Sequence, residues 1–326
     1  MNSAKQKKGG LLRHPRVLPL RYALEYAALR IWLLIISCFP VEMNLVTARW
    51  FGRIWWWLRP DHQRRAMENL RAALGDRYTE QQLRQIAHDS FTHFAQLYLV
   101  ELGLAPRLIT PWSWTRHVEL GELGPALRVL LGGRGAIMLT PHFGNYELLG
   151  YTVCRLGIPI TAIMRPLDNE RINAYLVATR QSGGLALLFK RGAMTEAAAV
   201  LDRGEPLCFI ADQDAGRKGL FVDFFGRKAS TYKSIGLLAM TKRVPVIVGY
   251  AARTRRGFHY HIGVEQIIEP QEWEGQADPL YWITQTFSHA MEAAIRRYPE
   301  QYLWVHRRWK HRPKEEITPR HAGATG

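Results

Sequence analysis

Residues 133–150 read GRGAIMLTPHFGNYELLG. Ala136 to Thr140 form a short apolar run closed by Pro141, the pattern of a buried strand bounded by a breaker. Gly144 and Asn145 follow, and then an apolar-periodic segment, so the chain turns and enters a helix. Asn145 is the expected N-cap, with a side-chain oxygen able to accept from an orphan N–H of the first turn. Strand, tight turn and helix form the unit of an α/β fold, in which ligands sit beyond the carboxyl ends of the strands. His142 stands at that end, and Glu147 falls in the first turn of the helix.

Spacing between those two residues carries no information by itself. The chain has 12 His and 28 acidic residues among 326, and the same separation recurs at His117 with Glu122 and at His311 with Glu316. On one regular helix five positions rotate by about 140°. The pair converges only if the histidine is on the loop and the glutamate on the helix. His117 lies in the turn-like HVELGELG (117–124), and His311 in a charge-rich tail near Pro313, both read as surface features. Only His142 is placed where an α/β sheet puts its chemistry.

The same texture repeats downstream. ITAIM (160–164), LALLF (185–189), LCFIA (207–211) and VIVGYAA (246–252) read as strands. Helical patterns at 145–156, 169–182, 193–203 and 233–243 alternate with them, which predicts a mostly parallel sheet flanked by helices. GFHYHIGVEQI (257–267) alternates and reads as an added edge strand, and a last helix covers 279–298. Upstream, Ala66, Leu70, Ala73 and Leu74 share one face of a helix over 61–77 that Gly75 stops. Thr79 with Gln82 forms a capping box that opens a second helix over 80–103. Residues 61–313 therefore read as one folded domain, helical over 61–132 and α/β over 133–313, with 314–326 read as a disordered tail.

Lys and Arg number 44 against 28 acidic residues, a net charge of +16 with pI near 10, which suits a polyanionic partner. Residues 1–20 form a basic segment. YALEYAALRIWLLIISCFP (22–40) follows, interrupted by Glu25 and Arg30. Its uncharged part, Ile31 to Val41, falls short of the ~20 apolar residues of a spanning helix, and no small-residue cleavage site marks a signal peptide. We read 21–60 as a membrane-anchoring helix and an interfacial segment, with a single span as the alternative. In RWFGRIWWWLRP (49–60), Arg49, Arg53 and Arg59 alternate with Trp50, Trp55, Trp56 and Trp57, a headgroup-level composition. Because the tryptophans adjoin the apolar helix, the charge speaks for anionic membrane lipid and against nucleic acid. Cys38, Cys154 and Cys208 form no CxxC pair and read as reduced thiols of a cytosol-facing domain.

With these elements placed, GRGAIMLTPHFGNYELLG resembles the His-x4-acid motif of the lysophospholipid acyltransferase superfamily. More closely it resembles the bacterial lipid A biosynthesis acyltransferases, the late lauroyl/myristoyl transferases, which carry Glu at the acidic position. The likeness continues through MRPLDN (164–169), with Arg165 and Asn169, through Arg180, and through FKRGAM (189–194), where the family has a basic block containing Arg191. It extends over ADQDAGRKGLFVDFFGRKAST (211–231) and PEQYLWVHRRWKHRP (299–313), and RRAMENLRAALGD (64–76) is similar to the upstream helical region. It spans about 20–313, nearly the whole chain.

The resemblance implies a glycerolipid acyltransferase-like fold at the cytoplasmic face of the inner membrane. It implies transfer of an acyl chain from acyl carrier protein to a hydroxyl of a lipid A precursor or related glycolipid, with no metal and no cofactor beyond the acyl donor. The residues fit that chemistry. His142 is the general base, its ordinary pKa being near neutrality. Glu147 is expected to orient the ring, as the acid does in a Ser-His-Asp triad. No G-x-S-x-G elbow appears, so the hydroxyl attacks the thioester directly. Backbone N–H groups near Phe143, Gly144 and Asn145, or the Arg191 side chain, are the oxyanion candidates. Arg165, Asn169, Arg180 and Arg191 are expected to bind substrate, the arginines through glucosamine phosphates. Asp212, Gln213 and Asp214 are read as hydrogen-bonding the acceptor headgroup or neighbouring arginines, in preference to a paired-acid metal site. HRRWKHR (306–312) faces anionic headgroups or the acidic carrier protein, or is a solvated tail. An aminolipid or lysophospholipid acceptor is the alternative to lipid A.

Overall fold

A computed structural model describes residues 18–189 and 193–313. The basic segment up to residue 17, Arg191 and the 314–326 tail lie outside the described residues. The strands are β1 Val118–Leu120, β2 Ala136–Thr140, β3 Ile160–Met164, β4 Leu185–Phe189, β5 Pro206–Ile210, β6 Leu220–Phe224, β7 Arg227–Thr231, β8 Val246–Arg253 and β9 Tyr260–Ile268. Seven build one sheet in the order β1-β9-β8-β2-β5-β3-β4. All its pairings are parallel except β8 with β9. β2 lies between β5 and β8, and Ile137 and Leu139 are buried. A strand covered on both faces has no polar side to show, which is why AIMLT reads as a continuous apolar run.

Crossover helices Tyr146–Arg155, Glu170–Ser182, Ala193–Asp202 and Lys233–Lys242, and the later Pro279–Arg297, fall where the patterns place them. β9 differs from expectation. It pairs antiparallel with β8, but it is not the edge, because β1 runs parallel beside it. Three residues are too few to show a period, so β1 was indistinguishable from the turn around it. β6 and β7 form a separate hairpin inside the stretch 211–231. Its two-residue loop, Phe225–Gly226, has φ +54° and +69°, the mirror-image turn that two-residue hairpins favour. Phenylalanine is a poor residue for that backbone. Packing holds it there: the ring is buried, meets Phe224 edge-on at 4.9 Å and lies under the Arg296 guanidinium at 4.6 Å.

Upstream, Pro60–Leu74 and Glu80–Gln96 are the two expected helices, and the Thr79–Gln82 capping box is present in both directions. The second does not run on unbroken. It passes through a π-helical turn, Leu97–Glu101, into Leu102–Leu108. The region read as an anchoring helix and an interfacial segment is two helices, Leu18–Ser37 and Val41–Leu58, parted at Pro40, with Asn44 bonding the carbonyls of Ile36 and Phe39. Leu45, Ala48, Gly52 and Trp56 form the buried face of the second. A Cβ on Gly52 would come within 2.5 Å of Thr92 Cα, so only glycine lets this helix lie so close to Glu80–Gln96. No helix among the described residues is long and apolar enough to cross a membrane.

Candidate active site

The turn after β2 is clamped from three sides. Gly144 has φ +55°, and a Cβ there would lie 1.9 Å from the Ala251 carbonyl oxygen. Asn145 N–H donates to that carbonyl at 2.9 Å, and Gly144 N–H donates to Gln301 O at 3.0 Å. Asn145 caps the next helix through Leu148 N–H at 2.8 Å, as its place in the sequence implied, and its Nδ2 donates to buried Glu101 at 2.8 Å. Leu303 N–H donates to His142 O at 3.2 Å, and Ser90 Oγ and Asn69 Nδ2 hold the 302–306 backbone from the helical region. His93 donates from Nε2 to Gly144 O at 3.1 Å, and burial, then the Arg253 charge, push it down to about 3. It is therefore a neutral donor.

This geometry corrects the role expected of Glu147. The His142 ring is paired with Asp212, Nδ1 to Oδ1 at 2.7 Å. Asp212 follows β5, the parallel neighbour of β2, and Ala211 N–H donates to Thr140 O at 3.0 Å, so the two strand ends emerge side by side. Glu147 points away, into a two-pronged pair with Arg180: Nε donates to Oε2 at 3.0 Å and Nη2 to Oε1. The first helical turn aims Glu147 at helix Glu170–Ser182 instead of back at the loop. Burial pulls Arg180 down, but the bond and charge of Glu147 outweigh it and its pKa is raised. Burial pushes the Asp212 carboxyl up, yet the charge and hydrogen bond of His142 more than offset it, leaving it below its ordinary value.

The backbone part of the oxyanion expectation is corrected too, while Arg191 lies outside the described residues. Phe143 N–H is spent on Pro141 O at 2.8 Å, and the Gly144 and Asn145 N–H groups on Gln301 and Ala251. The glycine admits a strand carbonyl, not a substrate. Asn169 is also structural: its Oδ1 caps Glu170–Ser182, and its Nδ2 bonds Tyr22 O and Glu25 on the first helix. Arg165 is exposed just after β3. Gln213 is at the ring's other nitrogen, Nε2 to Nε2 at 3.2 Å. Asp214 faces His311 instead of a headgroup, accepting from Nδ1 at 2.7 Å.

His311 is thus no surface feature, and the tail holding it folds into the site. Arg308 is buried, donating to Ser230 O at 2.5 Å and Thr231 Oγ1 at 2.6 Å. His306 accepts from Asp214 N–H at 3.3 Å. Tyr302 is buried near Asp212; burial, then that carboxylate's charge, push its phenol well up. The signal for these lies in YLWVHRRW itself (302–309), where three aromatics and two aliphatics surround the basic residues, too apolar a stretch for a solvated tail. Two more tyrosines complete the wall: Tyr146 stands edge-on to the His142 ring at 5.4 Å, and its hydroxyl pairs with that of Tyr98 from the π-helical turn.

An apolar cavity of about 150 Å³ opens beside these groups. Thr140, Tyr146, Glu147 and Arg180 form polar parts of its wall, and Met138, Leu149, Val153, Cys208 and Ile247 are among its apolar lining. An imidazole oriented by a carboxylate beside an apolar cavity is an arrangement able to do acid–base chemistry on a group carrying a hydrocarbon chain.

A family model described as bacterial lipid A biosynthesis acyltransferase matches residues 12–311. Over 307 residues the chain is 29% identical to the lipid A biosynthesis palmitoleoyltransferase of Escherichia coli (strain K12), covering 91% of this chain and 94% of that one. It is 26% identical over 243 residues to the lipid A biosynthesis lauroyltransferase of the same strain, covering 72% and 75%. It is also 25% identical over 203 residues to a phosphatidylinositol mannoside acyltransferase of Mycolicibacterium smegmatis, covering 59% and 64%.

Proposed function

The chain belongs to the bacterial lipid A biosynthesis acyltransferase family, and on that premise we propose that it moves a fatty acyl chain from acyl carrier protein to a hydroxyl of a lipid A precursor, at the cytoplasmic face of the inner membrane. The observation that carries the site is the His142–Asp212 pair beside the apolar cavity. Asp212 accepts a hydrogen bond from Nδ1–H and fixes the ring's tautomer, which leaves the Nε2 lone pair for the acceptor hydroxyl. As the hydroxyl oxygen attacks the thioester carbonyl, its proton passes to Nε2. The buried carboxylate stabilises the imidazolium, which then protonates the departing thiolate. The cavity takes part of the acyl chain, and the Glu147–Arg180 pair braces its polar wall. The net charge of +16 suits both an acidic carrier protein and an anionic membrane surface.

The likeness to a phosphatidylinositol mannoside acyltransferase favours a second reading, the same chemistry on another glycolipid. Acyl transfer from acyl carrier protein to a tetraacylated lipid A precursor, followed by mass spectrometry, separates the two. Wild-type protein is expected to add one acyl chain. His142→Ala is expected to abolish turnover, and Asp212→Asn, which favours the wrong tautomer, to lower kcat by roughly 10³–10⁴. Intact activity in His142→Ala would overturn the mechanism; transfer only to mannosylated lipids would overturn the acceptor.

A further inference from the structure

The reaction develops negative charge on the thioester oxygen, and the backbone donors expected to meet it are occupied. The N–H groups of Phe143, Gly144 and Asn145 bond to protein carbonyls. Arg180 commits Nε and Nη2 to Glu147, and its Nη1 lies 3.6 Å from Met164 Sδ. Arg308 is turned away to Ser230 and Thr231. The side chain that does reach the reacting nitrogen is Gln213, whose amide nitrogen is 3.2 Å from His142 Nε2.

Two features make this contact more than a passing one. Gln213 sits on a pinned peptide: Asp212 before it is bonded to His142, Asp214 after it to His311, and its own carbonyl accepts from Arg308 Nη1 at 3.4 Å. Its amide is also consistent with the ring's tautomer. With Nδ1–H directed at Asp212, Nε2 carries a lone pair, and a side-chain N–H is the partner that lone pair requires. The amide therefore occupies the place an acceptor hydroxyl must take.

We propose that the Gln213 side-chain amide is the oxyanion donor of the acyl transfer, held in register by the base until substrate displaces it. The inference rests on the acyltransfer reading above. When the acceptor hydroxyl takes over Nε2, the freed amide N–H turns to the thioester oxygen alongside. The hydroxyl oxygen bonds to the carbonyl carbon, the C=O π pair moves onto oxygen, and the hydroxyl proton goes to Nε2. The amide donates to that oxyanion. Collapse re-forms C=O and breaks C–S, and the thiolate takes the proton from Nε2.

Removing one oxyanion donor lowers kcat by roughly 10²–10³. The test uses the full chain in detergent with acyl carrier protein thioester and a lipid A precursor, comparing wild type with Gln213→Met, Gln213→His and Tyr98→Phe. Methionine keeps the length without a donor; histidine restores one at similar reach. Gln213→Met is expected to lose kcat by that factor with KM within about threefold and an unchanged melting temperature, and Gln213→His to recover at least about tenfold of it. Gln213→Met within about threefold of wild type, or equal losses in the Met and His variants, would overturn the proposal. So would a loss confined to Tyr98→Phe. Free thiol release is followed in parallel with water as acceptor. If wild type hydrolyses the thioester but leaves the precursor unmodified, the acceptor assignment fails, while the Gln213 comparison is still read on hydrolysis.

Discussion

His93 places a titrating group under the turn that carries His142. Its pKa is about 3 in the folded protein against an ordinary 6.5, so the unfolded chain binds more protons below neutrality. Stability therefore rises with pH across this window and falls as the pH is lowered from 6.5 toward about 3, by up to about 1.4 kcal/mol per pH unit from this group. His93→Gln keeps a side-chain donor for Gly144 O without a group that charges. Urea unfolding at pH 7.5 and 5 is expected to show a smaller loss of stability between the two in the variant than in wild type. An equal loss in both would mean that another group carries the acid sensitivity. Gly144 belongs to the same construction, since the Ala251 carbonyl fills the space any side chain would need.

At the scale of elements, the chain's local patterns locate strands and helices well and their lateral order poorly. β2, β3 and β4 have the bounds of the runs AIMLT, ITAIM and LALLF, because a breaker or a charged residue follows each run in the sequence, Pro141, Arg165 and Lys190. The hairpin β6–β7 escaped notice because its turn is Phe-Gly, held by packing from Trp304 and Arg296 that no local pattern contains. The site divides in the same way. His142 was legible, since it depends on one strand and the turn after it. Its partner was not, because Asp212 arrives on a strand 70 residues later, and only the sheet order makes the two strands neighbours. The π-helical turn is the third case. It carries Glu101 fully buried, bonded to Arg253 Nη2, Tyr260 Oη and Asn145 Nδ2, so it ties the helical region to β8, β9 and the turn after β2 at once. Glu101→Gln leaves Arg253 without its counter-charge and is expected to cost about 3–5 kcal/mol by urea unfolding. Adding Arg253→Met should return most of that, as removing both charges relieves the unpaired one. Additive losses would show that the pair's charge is not what matters there.

For the whole molecule, the two N-terminal helices turn their inner faces to the domain and leave an unusual outer one. Met43, Val46, Trp50, Ile54 and Trp57 are exposed at spacings of three and four, one stripe of a helix, and Leu20, Leu24, Ile31, Leu34 and Ile35 are exposed on the preceding helix. Trp57 is 84% exposed. Apolar stripes of this length are costly in water. Basic residues accompany them, with Arg53 lying 5.0 Å over the Trp50 ring. This pairing of apolar stripe and arginine supports the proposed membrane location, and we propose that the two helices lie in the interface; no helix among the described residues is apolar enough to span. Burying one such side chain contributes about 1.5–3 kcal/mol. Trp57→Glu is therefore expected to weaken binding to phosphatidylglycerol-containing vesicles by roughly 10–100-fold, with detergent-phase turnover close to wild type because the site lies on the α/β half of the chain. Raising salt should weaken the wild type further, as the arginine contribution is screened. Co-sedimentation with vesicles of phosphatidylcholine alone, which lack the charge, isolates the apolar part. Equal binding of wild type and Trp57→Glu to both vesicle types would mean that the outer stripe faces something other than lipid.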